Sequence, residues 1–262
     1  MNNDFFKLAL ITGASSGLGL ALAKHLSEKG ISLLITGRDR DRLSVLAGSL
    51  PNAVEFFPLD LSCGRQELIE LIRCKTPDLV INNAGFGLYG PALMHTTTAQ
   101  MEILEINAAA AIEITLEAAR ALHLRQKTGT ILNVSSTAGE LPIPTMALYS
   151  ASKACLTSFS RSFDAEMRPY GIRILASLPG PIATEFAARA SNNGFVQRSR
   201  FALKKEFVAE CIWKQIQRKK AVQIIDWRNR MGLIILKCLP RILTEKLVQI
   251  GLRKRYTDKP LF

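Results

Sequence analysis

Apolar residues along this chain fall into two alternating patterns. Short unbroken apolar runs occur at Leu8–Thr12, Ile31–Thr36, Val54–Phe57, Leu79–Ile81, Thr130–Val134 and Ile172–Ser177. Such runs predict strands buried on both faces. Between them, apolar residues recur three and four positions apart: Leu20–Lys29, Leu68–Cys74, a long stretch to about Leu124, and Leu148–Met167. That spacing predicts helices with one buried face. Gly30 stands where a helix C-cap belongs, and Thr97 with Gln100 has the spacing of a capping box. Phe207–Arg218 adds a helix and Ala221–Ile225 a last strand. Strands alternating with helices predict an α/β fold. The expected form is a doubly wound parallel sheet of about seven strands with helices on both faces and right-handed crossovers. No linker or repeat divides the chain, so residues 1–262 read as one domain.

Composition agrees with a packed domain. At 262 residues, 48% hydrophobic and 21% charged, the chain is too apolar for intrinsic disorder. Its net charge of +12 is unevenly placed. Residues 1–197 hold 17 Lys and Arg against 17 Asp and Glu; residues 198–262 hold 17 against 5. The five cysteines are odd in number and form no CxxC, which argues against a disulfide framework or zinc site and for a reducing, cytoplasmic setting. His25, His95 and His123 are scattered, so no metal site is expected. The first apolar run is too short for a signal peptide, and no stretch reaches the ~20 apolar residues of a membrane span.

Three features carry candidate chemistry. Thr12-Gly13-Ala14-Ser15-Ser16-Gly17-Leu18-Gly19 joins a predicted strand to a predicted helix. Glycines there let the backbone turn and approach a pyrophosphate, and the helix N-terminus offers free N–H groups to an anion. Its Gly-x-x-x-Gly-x-Gly spacing departs from GxGxxG. Second, Tyr149 and Lys153 are four apart and share a helix face. An ammonium near a phenol favours phenolate and suits it to proton transfer. Third, Ser136 follows the strand ending at Val134, where sites form in such sheets, with Ser135 as a competing neighbour. Asn107 sits inside a predicted helix, where its propensity is poor.

Taken in order, these residues resemble the short-chain dehydrogenase/reductases of the single-domain, Rossmann-like type, over roughly residues 6–185. The resemblance implies an enzyme that interconverts a carbonyl and an alcohol. It implies Tyr149 as general acid/base, Lys153 as the residue that lowers the phenol's pKa and holds the nicotinamide ribose, Ser136 as the carbonyl's hydrogen-bond partner, and Asn107 as holder of a relay water. Cofactor contacts are implied for Gly13, Ser15, Ser16, Gly17, Leu18 and Gly19, for Asp60 and Leu61, for Asn83, Ala84 and Gly85, and for Pro179, Gly180, Ile182 and Thr184. An NAD-preferring member usually ends its second strand with an acid that bonds the ribose 2′-OH. Here Thr36-Gly37-Arg38 ends it, so a 2′-phosphate and NADP(H) are expected over NAD(H).

Beyond Thr184 the resemblance thins. Residues 185–206, with Phe186, Phe195 and Phe201, read as a lid over an apolar substrate: a lipid-like ketone, a 3-oxoacyl group or a steroid-like molecule. Residues 227–262 form a basic amphipathic extension. Trp227-Arg228-Asn229-Arg230 precedes Met231–Leu239; past Pro240 a second helical pattern runs to about Arg255. Leu239, Leu243, Leu247 and Ile250 share a face, with Arg241, Lys246, Arg253, Lys254 and Arg255 around it. Three readings stand: packing on the body or a partner subunit, peripheral contact with a membrane, or an acidic partner such as an acyl carrier protein. Nucleic acid is not expected, for no recognised binding fold accompanies the charge. The resemblance also implies a homodimer or homotetramer. The rival to an enzyme is a nucleotide-binding sensor or scaffold of the same fold without turnover.

Overall fold

The computed structural model describes residues 6–191 and 202–253. Its sheet has seven parallel strands: β1 (Leu8–Thr12), β2 (Ser32–Gly37), β3 (Val54–Pro58), β4 (Leu79–Asn82), β5 (Gly129–Val134), β6 (Ile172–Leu178) and β7 (Val222–Ile224). Their order is β3-β2-β1-β4-β5-β6-β7. The chain therefore winds outward from β1 in one direction, returns, and winds from β4 in the other. The reversal opens a crevice at the C-terminal ends of β1 and β4.

Strand pleating explains the continuous apolar runs. Ala9, Ile11, Leu33, Ile35, Leu79 and Ile81 face one side, with Leu22 and Leu26 of helix α1 (Gly17–Ser27) and Val208 and Ile212 of α8 (Lys205–Gln217). Leu10, Leu34 and Val80 face the other, with Leu68 and Ile72 of α3 (Arg65–Lys75) and Ile114 and Leu122 of α5 (Ala111–Leu124). Both faces are buried, so alternate residues are apolar in both registers. Each fully buried Leu or Ile contributes about 1.5–3 kcal/mol.

Local details depart from the sequence reading. Helix α1 stops at Ser27, before Lys29, and Gly30 (φ +83°) donates its N–H to Ser27 O as the chain turns into β2. The cap of α4 (Thr97–Leu104) is Thr96 rather than Thr97: its hydroxyl accepts from Ala99 N at 3.2 Å. The Gln100 side chain reaches Ala92 O, so no capping box forms. The long predicted helix is broken between α4 and α5 by a π-helical turn, Glu105–Ala110. The remaining helices are α2 (Arg40–Ser49), α6 (Ala147–Met167), α7 (Phe186–Ala190), α9 (Trp227–Cys238) and α10 (Arg241–Arg253).

Two polar clusters fasten the helices to the sheet. Asn82 Nδ2 donates to Asn133 Oδ1, Thr115 Oγ1 and Ala111 O, and Asn133 Nδ2 donates to Ser160 Oγ. This chain ties β4 and β5 to α5 and α6. Fully buried Asp164 of α6 accepts from Arg168, Arg173 and Ile174 N, which ties α6 to β6. Burial alone would raise the Asp164 pKa; the two guanidiniums and the amide outweigh it and hold the carboxyl low.

The extension packs through few residues. Leu233 of α9 and Thr244 of α10 are buried, and the Thr244 hydroxyl donates to Leu236 O at 2.8 Å. Leu243 and Leu247 of the expected apolar stripe face solvent, so this part of the stripe is not packed on the body. Phe195, Phe201, Lys254 and Arg255 lie outside the described residues.

Candidate active site

The glycine turn between β1 and α1 is shaped by contact distances. Gly13 and Gly17 have φ of +68° and +56°. A Cβ on Gly19 would stand 2.2 Å from Gly13 O and 2.6 Å from Asn83 Nδ2, so only glycine lets α1 lie this close to β1. Ser16 is the extended N-cap of α1, yet its side chain makes no capping bond, and the first turn holds no acid. The helix amides are thus left for an anion. Leu18 is buried beneath the turn. Ser15 Oγ lies 3.1 Å from where a Gly37 Cβ would be, so Ser15 stands at the end of β2.

The turn is braced from β4. Thr12 Oγ1 accepts the N–H groups of Asn83 and Ala84 at 3.0 Å each, and Asn83 Nδ2 donates to Thr12 O and Gly13 O. Gly85 then leaves a gap: its Cβ would meet Asn107 Oδ1 at 2.8 Å and Lys153 Nζ at 3.4 Å. Asn107 lies in the π-turn, fully buried. Its Oδ1 accepts from Phe86 N at 2.9 Å and its Nδ2 donates to Phe86 O at 2.8 Å. The poor helix propensity of this Asn is offset by these bonds to an otherwise irregular strand end, and π-turns of this kind gather at functional sites.

The two serines after β5 part company. Ser135 is buried, donates to Lys153 O at 2.9 Å and lies 2.6 Å from Thr157 Oγ1, so it anchors α6. Ser136 turns the other way. Its Oγ accepts from Ala138 N at 3.1 Å and lies in hydrogen-bonding contact with the Tyr149 phenol. Lys153 Nζ donates to Val134 O at 2.9 Å and stands 5.9 Å from the centre of the Tyr149 ring. No carboxylate pairs with it among the described residues, and burial lowers its pKa to about 8. Burial pushes the Tyr149 phenol up, and the Ser136 bond pulls it the other way without reversing the shift. The expected lowering of this phenol by Lys153 is therefore not seen. The ammonium points at the Val134 carbonyl instead.

The outer wall comes from β6 and the segment that leaves it. Pro179 O accepts from Thr137 N, and buried Gly180 abuts Asn229 of α9. Ile182 bridges Leu203. Thr184 comes within 3.4 Å of where a Gly17 Cβ would be, closing the loop over the turn. Phe186 of α7 packs on Tyr149 with ring centres 5.5 Å apart. A small cleft beside Tyr149 is lined by Leu88, His95, Ile103, Met146 and Leu148.

At the far end, Arg38 is exposed beyond β2 and has no ion pair among the described residues. Asp60 follows β3. The Ser62 N–H and hydroxyl hold its carboxyl low, with the Arg38 charge helping. Leu61 is buried in the second core cluster. Asp39 caps α2 by accepting from Arg42 N and pairs with Arg42, so this acid is already engaged. Two arginines were not legible from the motifs. Arg42 bonds Glu185 at 3.4 Å; Arg189 pairs with the same Glu185 and donates to Ser16 Oγ at 3.3 Å. Only the Glu185–Arg189 spacing could have suggested one of them.

Residues 7–194 match the short chain dehydrogenase family, and the chain belongs to it. It is an oxidoreductase of CH–OH and C=O groups with a Rossmann-type nucleotide-binding fold. An uncharacterized oxidoreductase of Staphylococcus epidermidis is 28% identical over 183 residues, covering 68% of this chain and 79% of that protein. An NADPH-dependent 1-acyldihydroxyacetone phosphate reductase of Saccharomyces cerevisiae is 31% identical over 189 residues, covering 69% of this chain and 63% of that protein. Among solved structures, a short-chain dehydrogenase from Sphingobium yanoikuyae in complex with NADPH superposes with a TM-score of 0.75 at 24% identity (89% and 96% covered). A 4-hydroxyisoleucine dehydrogenase complexed with NADH superposes at 0.74, also at 24% identity (84% and 97% covered).

Proposed function

We propose that this oxidoreductase reduces the carbonyl of an apolar substrate, or runs the reverse reaction, with NADP(H) preferred over NAD(H). The observation that carries the reading is the convergence of Ser136, Tyr149, Lys153 and Asn107 below a glycine turn whose helix amides are uncapped. The turn residues Gly13–Gly19, with Asn83–Gly85, would hold the pyrophosphate side. Asp60 and Leu61 would border the adenine, and Pro179, Gly180, Ile182 and Thr184 the nicotinamide. When bound, that cofactor supplies the hydride.

The side chains supply the proton and the geometry. Tyr149 carries its proton at neutral pH as any phenol does, and burial shifts it further in that direction. It gives that proton to the substrate oxygen as negative charge grows there. Ser136 donates a second hydrogen bond to the same oxygen. Lys153 bears a charge in a dry site close to the phenol, held on Val134 O; turned toward the phenol, it would stabilise the phenolate left behind. The Asn107 side chain is committed to Phe86, so it acts through its main chain, holding the water that returns a proton.

Preference for NADP(H) rests on Arg38, free at the end of β2, and on the engagement of Asp39 elsewhere. The yeast relative's NADPH dependence supports it. An apolar substrate is supported by Phe186, which packs over the Tyr149 ring. Homodimers or homotetramers would form through the helices that hold Asn107 and Tyr149. The test is NADPH oxidation against a panel of ketones and 3-oxoacyl thioesters, with Tyr149→Phe as control. Wild type should turn over, and the variant should lose about 10²–10⁴-fold. Cofactor binding without turnover across the panel would replace the enzyme with a nucleotide sensor.

A further inference from the structure

The extension presents an apolar surface that the body does not cover. Trp227, Met231, Ile234 and Ile235 fall on one face of α9 at helical spacing and are exposed, Trp227 by 70% and Ile235 by 57%. Leu243 and Leu247 add an exposed pair on α10. The body holds α9 from behind, and α10 is tied to α9: Leu233 is buried, Asn229 sits against Gly180, and Thr244 bonds Leu236 O. The apolar side of α9 is therefore left outward by the packing.

Charge says what covers it. Residues 227–262 hold nine Lys and Arg against two Asp and Glu. Arg228 and Arg230 are exposed on the first turn of α9, and the Arg228 guanidinium lies 5.8 Å from the centre of the Trp227 ring. A second copy of this chain fits poorly, because a two-fold contact would set these cations against themselves. A protein groove would take one helix, whereas here two consecutive helices both expose apolar side chains. No helix among the described residues is long and apolar enough to cross a membrane. Apolar side chains with a Trp, rimmed by Arg and Lys, suit the plane of an anionic lipid surface.

We infer that α9 and α10 dock the enzyme on membranes carrying anionic phospholipids. This surface does not depend on the reductase reading. A link to substrate does: Asn229 on the inner side of α9 touches Gly180 of the proposed nicotinamide loop, so the lipid-facing helix also walls the site.

The test is co-sedimentation of the full-length chain, loaded with NADPH, on two kinds of vesicle: phosphatidylcholine alone, and phosphatidylcholine with phosphatidylglycerol at two to one. Wild type should pellet with the mixed vesicles and stay in solution with phosphatidylcholine. Arg228→Ala with Arg230→Ala should weaken that binding about 30-fold, at ~1 kcal/mol per cation. Ile235→Glu should abolish it. Both variants alter exposed positions and should keep the wild-type melting temperature, which separates lost docking from lost fold. Wild type that fails to pellet with mixed vesicles overturns the inference, as does pelleting that neither variant reduces. A dimer by light scattering that Ile235→Glu splits, with no vesicle binding, assigns the face to a second copy and also overturns it. Turnover in solution reports on the reductase reading separately.

Discussion

Lys153 buries a cation with one carbonyl for a partner, and that arrangement has a measurable cost. It is 5% exposed, bonds Val134 O, and has a pKa near 8 against an ordinary 10.5. Below about pH 8 the folded and unfolded chains both carry this proton, and folding bears the full penalty of burying it. Between about 8 and 10.5 the unfolded chain binds more proton than the folded one, so stability rises with pH. At about 1.4 kcal/mol per pH unit the penalty is about 3 kcal/mol at pH 7 and about 1 kcal/mol at pH 9.5. Lys153→Met keeps the stem and removes the titration. It leaves Val134 O without its donor, but that loss does not vary with pH. Urea unfolding of cofactor-free wild type and Lys153→Met at pH 7 and 9.5 isolates the effect. Wild type should gain about 2 kcal/mol on the variant between the two pH values. A constant difference, or one that moves the other way, would refute the claim that this lysine is charged and desolvated in the free enzyme.

Arg38→Ala should lower kcat/KM for NADPH by about ten- to a hundred-fold, the worth of a charged hydrogen bond, and leave NADH nearly unchanged. Equal losses with both cofactors would remove Arg38 from 2′-phosphate recognition. Gly19→Ala must push α1 away from Gly13 O and should cost about 1–3 kcal/mol and weaken NADPH binding in a fluorescence titration. Gly48→Ala, in open space on α2, should instead stabilise the fold by about 0.5 kcal/mol, seen as a small rise in melting temperature. Asp164→Ala leaves Arg173 and Ile174 N unpaired beside β6 and should cost about 3–5 kcal/mol in urea unfolding. The Asp164 carboxyl is held low, so its contribution is present above the ordinary carboxylate range and is lost as pH falls through the depressed folded value. Wild type should accordingly lose its advantage over the variant in acid.

The strands and most helices were legible because both faces of this sheet are buried, and apolar runs then mark it directly. Leu10 and Ile11 face opposite cores, yet both must be apolar. The π-turn was not legible. Its apolar spacing continues that of α4 and α5, and its cause is a bond between Asn107 and the distant Phe86. Asn107 still betrayed itself as a residue out of place in a helix. Choosing between Ser135 and Ser136 needed three dimensions, for neighbours on a chain point to opposite sides. Tyr149 and Lys153 share a face as their spacing requires. Where the ammonium points is set by the Val134 carbonyl, which spacing does not reveal. Arg42 and Glu185 lie far apart in sequence and meet only because the segment after β6 folds back across the glycine turn, with Thr184 against Gly17.

The amide and hydroxyl chain from Asn82 through Asn133 to Ser160 has a consequence for how such an enzyme could change. It locks α5 and α6 to the sheet by directional bonds, one helical turn beyond Asn107 and two beyond Lys153. No residue of α7, α9 or α10 takes part in it. Specificity and address can therefore be rebuilt on the outer segments while the inner lattice keeps the reacting groups in register. Two inheritances, one of chemistry and one of use, are carried by separate parts of a single chain.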